Sequence, residues 1–254
     1  MLAKKSLGQN WLKSPSALSA IVAAGDIQSS DIVLEIGPGQ GALTTDLLKR
    51  AGKVIAIEKD RRLIDLLKEK FATDIEANKF DLIEADILDF DLAPLNFYDV
   101  PYKLIANIPY YITGQIIRKF LEAENQPKLM VLMLQKEVAN RIVAGDKKES
   151  ILSISVKVYG EPKYIKTVPR GAFSPAPNVD SAILLINNIS KKNFVNVAED
   201  KFFAILKQGF AQKRKKLISN LKLKPEQAKE LEIDENARAE DLRLEQWLKL
   251  AKNL

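Results

Sequence analysis

Residues 33–44 read Val-Leu-Glu-Ile-Gly-Pro-Gly-Gln-Gly-Ala-Leu-Thr, and no other stretch constrains the fold as tightly. An apolar, β-branched run enters three glycines at alternate positions, and a helical pattern leaves them. Glycine lets a backbone turn sharply and lets a ligand lie directly against main-chain atoms. The order strand, glycine turn, helix predicts one unit of a mostly parallel sheet with helices on both faces. The pattern recurs along the chain. Runs at 32–36, 54–58, 81–84, 103–106, 129–134, 152–158 and 182–186 read as buried strands. Helical patterns at 43–50, 62–71 and 114–123 fall between the earlier ones. The last two strands have no clear helix between them, which predicts an antiparallel pair at one edge.

After Asn187 the character changes. Residues 200–253 carry helical periodicity, and Pro225 suits the first turn of a helix. The expected organisation is an α/β domain over residues 1–190 and a small all-helical domain over 191–254. A length of 254 residues supplies ample core for both.

Two zeros in the composition exclude chemistry. With 0 His and 0 Cys there is no Ser-His-Asp triad, Cys nucleophile, disulfide or His/Cys metal site. Reactions driven by positioning and by a reactive cofactor are favoured. The longest apolar run, 129–134, falls far short of the ~20 residues that span a bilayer. No apolar stretch follows Lys4 and Lys5 as in an export signal. A cytoplasmic protein, off the membrane, is expected.

Acidic residues punctuate the strand ends. Glu58 closes the second strand, 17 residues after Gly41 (58 − 41), where a carboxylate can accept hydrogen bonds from ribose hydroxyls. Asp86 follows the third strand, within reach of an adenine amine. Glu35 is polar inside an apolar strand and needs partners of its own. The glycine spacing is G-x-G-x-G, not the dinucleotide G-x-G-x-x-G. For the glycines alone, a tight turn with no ligand is the competing reading. Anchors at successive strand ends instead favour S-adenosylmethionine over NAD, held by Gly37, Gly39, Glu58 and Asp86.

Asn107-Ile-Pro-Tyr-Tyr ends the fourth strand. It resembles the Asn/Asp-Pro-Pro-Tyr motif of methyltransferases that modify exocyclic base nitrogens. The lone pair of adenine N6 is delocalised into the ring, so two acceptors are needed to hold the amino hydrogens and bias the nitrogen toward tetrahedral geometry. The Asn107 side-chain oxygen and the Ile108 carbonyl suit that task. Pro109 keeps Ile108 out of helical angles, and Tyr110 offers a face for stacking on a base. An ordinary strand-exit turn with a core Tyr is the alternative.

Further segments complete an ordered set: Lys5-Ser-Leu-Gly-Gln-Asn-Trp-Leu, Leu134-Gln-Lys-Glu-Val-Ala-Asn-Arg, Phe173-Ser-Pro-Ala-Pro-Asn-Val-Asp-Ser-Ala and Arg238-Ala-Glu-Asp-Leu-Arg-Leu-Glu-Gln-Trp-Leu. Over nearly its full length the chain resembles the ribosomal RNA adenine N6,N6-dimethyltransferase family, in its bacterial small-subunit branch. The resemblance implies a Rossmann-like methyltransferase domain with a mostly parallel seven-stranded sheet. It implies donor contacts at Asn10, Leu12, Gly37, Glu58, Asp86 and Asn107, with S-adenosylhomocysteine as the product and no metal. It also implies that Phe173 lies near the target base and, with Tyr110, holds a flipped adenine between two rings. A frayed N-terminus and a core-plugging Phe are the alternatives at Asn10–Leu12 and Phe173. Trp11 stands where the family usually has Phe, and Tyr111 where a smaller residue is usual. Tyr111 is expected to narrow the base pocket.

Charge is localised. Residues 1–190 hold 24 Lys/Arg and 23 Asp/Glu, a net of +1. Residues 199–224 hold 8 and 2, a net of +6. Within this basic helical stretch Lys213, Arg214, Lys215 and Lys216 suit an RNA phosphate backbone, against the alternative of a solvated helix face. Phe210 reads as helix packing rather than base stacking. The expected substrate is 16S rRNA in the small ribosomal subunit, with the enzyme a monomer that dimethylates two adjacent adenosines near the 3′ end. The competing readings are a resistance-type methyltransferase acting on large-subunit rRNA, a DNA adenine methyltransferase, and a non-catalytic RNA-binding assembly factor.

Overall fold

The structure is a computed structural model, which describes residue 4, residues 7–95 and residues 100–254. By contact the chain divides into two units, Met1–Ala139 with Lys163–Ile189, and Asn140–Pro162 with Ser190–Leu254. The second unit thus takes in residues 140–162 besides the C-terminal stretch expected from sequence.

In chain order the elements begin with β1 (Trp11–Leu12), α1 (Pro15–Ala24), β2 (Ile32–Ile36), α2 (Ala42–Leu48), β3 (Lys53–Glu58), α3 (Arg61–Lys70), α4 (Ala72–Glu76) and β4 (Phe80–Glu84). They continue with β5 (Tyr102–Asn107), α5 (Thr113–Glu122), β6 (Leu129–Gln135), α6 (Lys136–Val143), α7 (Ile151–Lys157), β7 (Glu161–Val168), β8 (Phe173–Ser174) and β9 (Ser181–Asn187). Four helices close the chain: α8 (Glu199–Gly209), α9 (Leu217–Leu221), α10 (Pro225–Glu230) and α11 (Leu244–Asn253).

One seven-stranded sheet has the order β4-β3-β2-β5-β6-β9-β7. The pairs β2–β3, β2–β5, β3–β4 and β5–β6 are parallel, and β9 runs antiparallel to β6. The chain builds outward from β2 to β4 and then returns to β2's other side as β5. That reversal opens a crevice at the carboxyl ends of β2 and β5. The central strands are buried along their middles: Leu104, Ile105 and Ala106 of β5 and Met130 to Leu134 of β6 have no exposed surface. Covered faces explain why these strands read as continuous apolar runs instead of alternating ones. Each such Leu or Ile contributes ~1.5–3 kcal/mol by burial.

One expected strand is a helix. Residues 152–157 belong to α7 and Val158 is its C-cap, because Ser150 and Ser153 close a reciprocal cap at the start. Ser150 Oγ accepts the Ser153 N–H at 3.1 Å, and Ser153 Oγ accepts the Ser150 N–H at 2.7 Å. This capping box satisfies two otherwise orphaned donors and starts the helix despite its β-branched content. The edge position belongs instead to β7, next to β9. Pro162 and two lysines, typical of an edge strand, hide it from an apolar-run search.

In the second unit, Trp247 of α11 is buried and its ring stacks on Phe210, centroids 5.4 Å apart. Phe210 is therefore packing, as read from sequence. Gly209 lies beneath the same indole: a Cβ there would overlap the Trp247 ring and stand 3.0 Å from Leu217. Gly209→Ala is expected to lower the unfolding free energy by about 1–3 kcal/mol through overpacking, measured by urea unfolding. An unchanged midpoint would contradict this packing.

Candidate active site

The crevice at the β2/β5 reversal is walled by four strand ends. After β2 the chain enters Gly37, Gly39 and Gly41, all at positive φ (66°, 60° and 74°). This is the left-handed region where a side chain is strained. The loop is held from three directions. Glu58 Oε2 accepts the Gly39 N–H at 3.1 Å. Lys70 Nζ, from the last turn of α3, donates to the carbonyls of Gln40 (2.9 Å) and Gly41 (3.1 Å). The Phe71 ring lies where a Gly41 Cβ would stand, 2.6 Å away. Over Gly37 the space is open, with no atom within 4 Å of a Cβ.

Glu58 ends β3 and is buried. Burial pushes its carboxyl above the ordinary range, while the N–H groups of Asp60 and Gly39 pull it back down. Its second oxygen, Oε1, accepts the Asp60 N–H at 2.7 Å. Asp60 in turn is bound by Arg62 (Nε to Oδ1 2.9 Å, Nη2 to Oδ2 2.6 Å) and by Gln9 Nε2 at 2.7 Å. The Arg62 guanidinium dominates, holding the Asp60 carboxyl down to about 2. Gln9 thereby joins the N-terminal segment to the end of β3.

The same segment is anchored a second time. β1 pairs antiparallel with β8, Trp11 opposite Ser174 and Leu12 opposite Phe173, and the Lys13 N–H donates to the Ala172 carbonyl at 2.8 Å. The Trp11 indole lies directly on the glycine loop, where a Gly39 Cβ would come within 2.8 Å of it. Tyr111 is 61% exposed and its ring abuts Gly8, so its bulk packs on the N-terminal segment. Lys5 and Ser6 of the first motif lie outside the described residues.

Asp86 Oδ1 accepts the Leu88 N–H at 3.1 Å, and its other oxygen is paired with Lys59. Burial works to raise this carboxyl; the Lys59 ammonium and the Leu88 N–H outweigh it and leave it below its usual value. At the end of β5, Asn107 Nδ2 donates to the Asn10 carbonyl at 3.4 Å. Pro109 has extended angles (φ −58°, ψ 135°) and a 3-10 turn, Tyr110–Ile112, follows.

One cavity brings these groups together. Its lining includes Asn10, Leu12, Gly37, Gly39, Glu58, Asp86, Asn107, Ile108, Pro109, Tyr110 and Phe173. Phe173 is also 6% exposed and shares the hydrophobic core with Leu12, so it is core and wall at once. Gln9, Lys59 and Leu88 line the same cavity and were not singled out from sequence. Gln9 sits inside the Gly-Gln-Asn-Trp motif and Lys59 directly follows Glu58, so neighbourhood to a motif was the available signal. Lys213, Arg214, Lys215 and Lys216 are elsewhere, all exposed. They occupy the turn between α8 and α9 instead of a helix, which corrects the helical reading. Lys216 supplies the extended N-cap of α9, so that helix begins only after the four cations.

Glu35 lies inside β2, where Thr44 Oγ1 donates to Oε2 at 2.7 Å. Burial pushes its carboxyl up to about 8 from 4.5, and the Glu58 charge adds to this against the Thr44 hydrogen bond. The folded state therefore holds the proton over a range where the unfolded chain has lost it. The resulting stabilisation is complete below about 4.5 and is gone once the pH has risen past about 8. Glu35→Gln is expected to flatten the fall in unfolding free energy across that window. Urea unfolding of both proteins at several pH values checks it; parallel curves would contradict the assignment.

The model of the ribosomal RNA adenine dimethylase family matches residues 1–254. The chain is 46% identical to ribosomal RNA small subunit methyltransferase A of Dehalococcoides mccartyi, over 98% of this chain and 87% of that one. A dimethyladenosine transferase from Plasmodium falciparum has a similar crystal structure, with TM-score 0.81, 31% identity, and coverage of 94% of this chain and 95% of that one. The 23S rRNA methyltransferase ErmE is similar at TM-score 0.81 and 25% identity, covering 96% and 98% of the two chains. A cavity at the β2/β5 reversal, walled by the glycine loop and the Asn-Ile-Pro-Tyr turn, and a family match along the whole chain lead to one conclusion: the chain belongs to the ribosomal RNA adenine dimethylase family.

Proposed function

We propose that this protein uses S-adenosylmethionine to dimethylate N6 of two adjacent adenosines near the 3′ end of 16S rRNA, as a step in small-subunit biogenesis. The observation that carries the reading is the convergence of donor-type and amine-type residues on one cavity. The residues present fit the donor. The open space over Gly37 admits a ligand against the backbone. Glu58 keeps lone pairs for two ribose hydroxyls beyond the two N–H groups it accepts. Asp86 faces the same cavity for the adenine amine, and Asn10 and Leu12 close the methionine end. When bound, the donor supplies an electrophilic methyl group on a sulfonium.

The chain's own groups then align the nucleophile. Asn107 donates through Nδ2 to Asn10, which sets the amide orientation and leaves Oδ1 to accept an amino hydrogen. The Ile108 carbonyl accepts the other. Tyr110 and Phe173 flank the extruded base. Alignment of this kind lowers a barrier by several kcal/mol without any acid or base side chain, which accords with the lack of His and Cys. The exposed Lys213–Lys216 turn carries four cations that form no ion pair among the described residues, and it meets RNA phosphates.

Purified protein with labelled donor is expected to modify under-methylated small subunits and to leave large-subunit rRNA and duplex DNA unlabelled. Labelling of either of the latter in preference would overturn the reading. Asn107→Ala is expected to lower turnover about 100- to 1000-fold, the usual cost of deleting one preorganised polar group that faces the reacting atoms. Replacing residues 213–216 by Gln is expected to flatten the dependence of log affinity on log salt by roughly 0.7–0.9 for each phosphate that is no longer neutralised. An unchanged slope would remove the RNA role of that turn.

A further inference from the structure

The Tyr110 hydroxyl is tethered. It shares a 2.6 Å hydrogen bond with Ser181 Oγ. Ser181 is fully buried, opens β9, and stands opposite Gln135 at the end of β6. Tyr110 follows β5, and β6 lies between β5 and β9 in the sheet. The phenol thus bridges the end of an intervening strand, a span of two interstrand spacings, ~9–10 Å. A tyrosine ring moves through two side-chain torsions, and pinning its far end removes most of that freedom. Burial raises the phenol above its ordinary value, so the group stays neutral and the bond is constant across physiological pH.

The contact also joins two segments of the cavity wall. Ser181 ends the stretch that begins at Phe173, whose β8 strand is in turn paired with Leu12. One hydroxyl therefore links the turn carrying Tyr110 to the segment carrying Phe173. Nothing else in the described structure of Tyr110 ties its polar end.

We propose that Ser181 is a positioning residue: through the Tyr110 hydroxyl it fixes the ring that faces the target base, and so decides whether a singly methylated base is retained for the second transfer. The role rests on the reading of this cavity as an adenine N6 methyltransferase site. In each transfer N6 forms the new C–N bond, the methyl–sulfur bond breaks with its electron pair staying on sulfur, and one N6 proton is lost to water. Between the two transfers the amine must turn its remaining N–H back to the acceptors while the base stays stacked. Base–aromatic stacking is strong enough to set the competition between re-presentation and release. A ring free to tilt loses part of it.

Wild type, Ser181→Ala, Tyr110→Phe and the double variant are compared on under-methylated small subunits, with mono- and dimethyladenosine quantified by mass spectrometry of digested RNA. Each single variant is expected to lower kcat about 3- to 10-fold, the usual worth of one hydrogen bond. Each should raise the monomethyl fraction several-fold and leave KM for the donor within about twofold. The double variant should be no worse than either single, since both remove the same bond. A product ratio unchanged in Tyr110→Phe, or losses that multiply in the double, would overturn the role of Ser181. Tyr110→Phe keeps the test decisive if Ser181→Ala fails to fold. If wild type itself leaves small subunits unmodified, the functional reading fails along with it; if wild type dimethylates and the variants match it, only Ser181 is wrongly assigned.

Discussion

The buried carboxylate of Glu58 is the joint on which the site depends. One oxygen holds the Gly39 amide and the other holds the Asp60 amide. A carboxylate removed from water must find such donors or stay protonated, and here the donors are the glycine loop and the turn after β3. The requirement of one buried charge thus determines the shape of two loops. From Asp60 the connection continues through Gln9 to the N-terminal segment, and from there through the β1–β8 pair to Phe173. Four parts of the chain remote in sequence are linked by main-chain and charge-assisted hydrogen bonds, which are the stronger kind.

Glu35 and Glu58 sit on neighbouring strands, and burial raises both carboxyls. Glu58 receives two backbone donors, whereas Glu35 receives one hydroxyl and is pushed up to about 8. Lys70 lies between these demands. It ties the carbonyls of the glycine loop and is itself held below the ordinary lysine value, chiefly by burial. The cavity floor is therefore built from polar groups whose protonation follows from packing.

Much of the sheet was legible because its central strands are covered on both faces and so are apolar throughout. The runs 32–36, 54–58, 81–84, 103–106, 129–134 and 182–186 fall within β2, β3, β4, β5, β6 and β9. Residues 152–158 misled because a helix and a strand can both bury Ile154 and Val156, and only the Ser150–Ser153 cap separates them. β7 escaped because a half-exposed edge strand has no apolar signature. Glu58, Asp86 and Asn107 were readable as polar residues at strand ends. Gln9, Lys59 and Ser181 were not, since their importance comes from partners 51, 27 and 71 residues away.

Sequence alone determined the alternation of strands and helices, the glycine turn, the exclusion of His and Cys chemistry, and the concentration of positive charge near residues 199–224. These are local properties: periodicity, backbone freedom and composition act within a few residues of one another. The tertiary structure alone decided that the N-terminal segment lies against β8, that Lys59 pairs with Asp86, that the four cations form a turn and not a helix face, and that Tyr110 is pinned by Ser181. The contacts of the N-terminal segment, Lys59 and Tyr110 depend on which surfaces the parallel sheet brings together, and such long-range pairings are selected by burial and hydrogen-bond satisfaction; the cation turn lies in the second unit, where α9 begins only after Lys216.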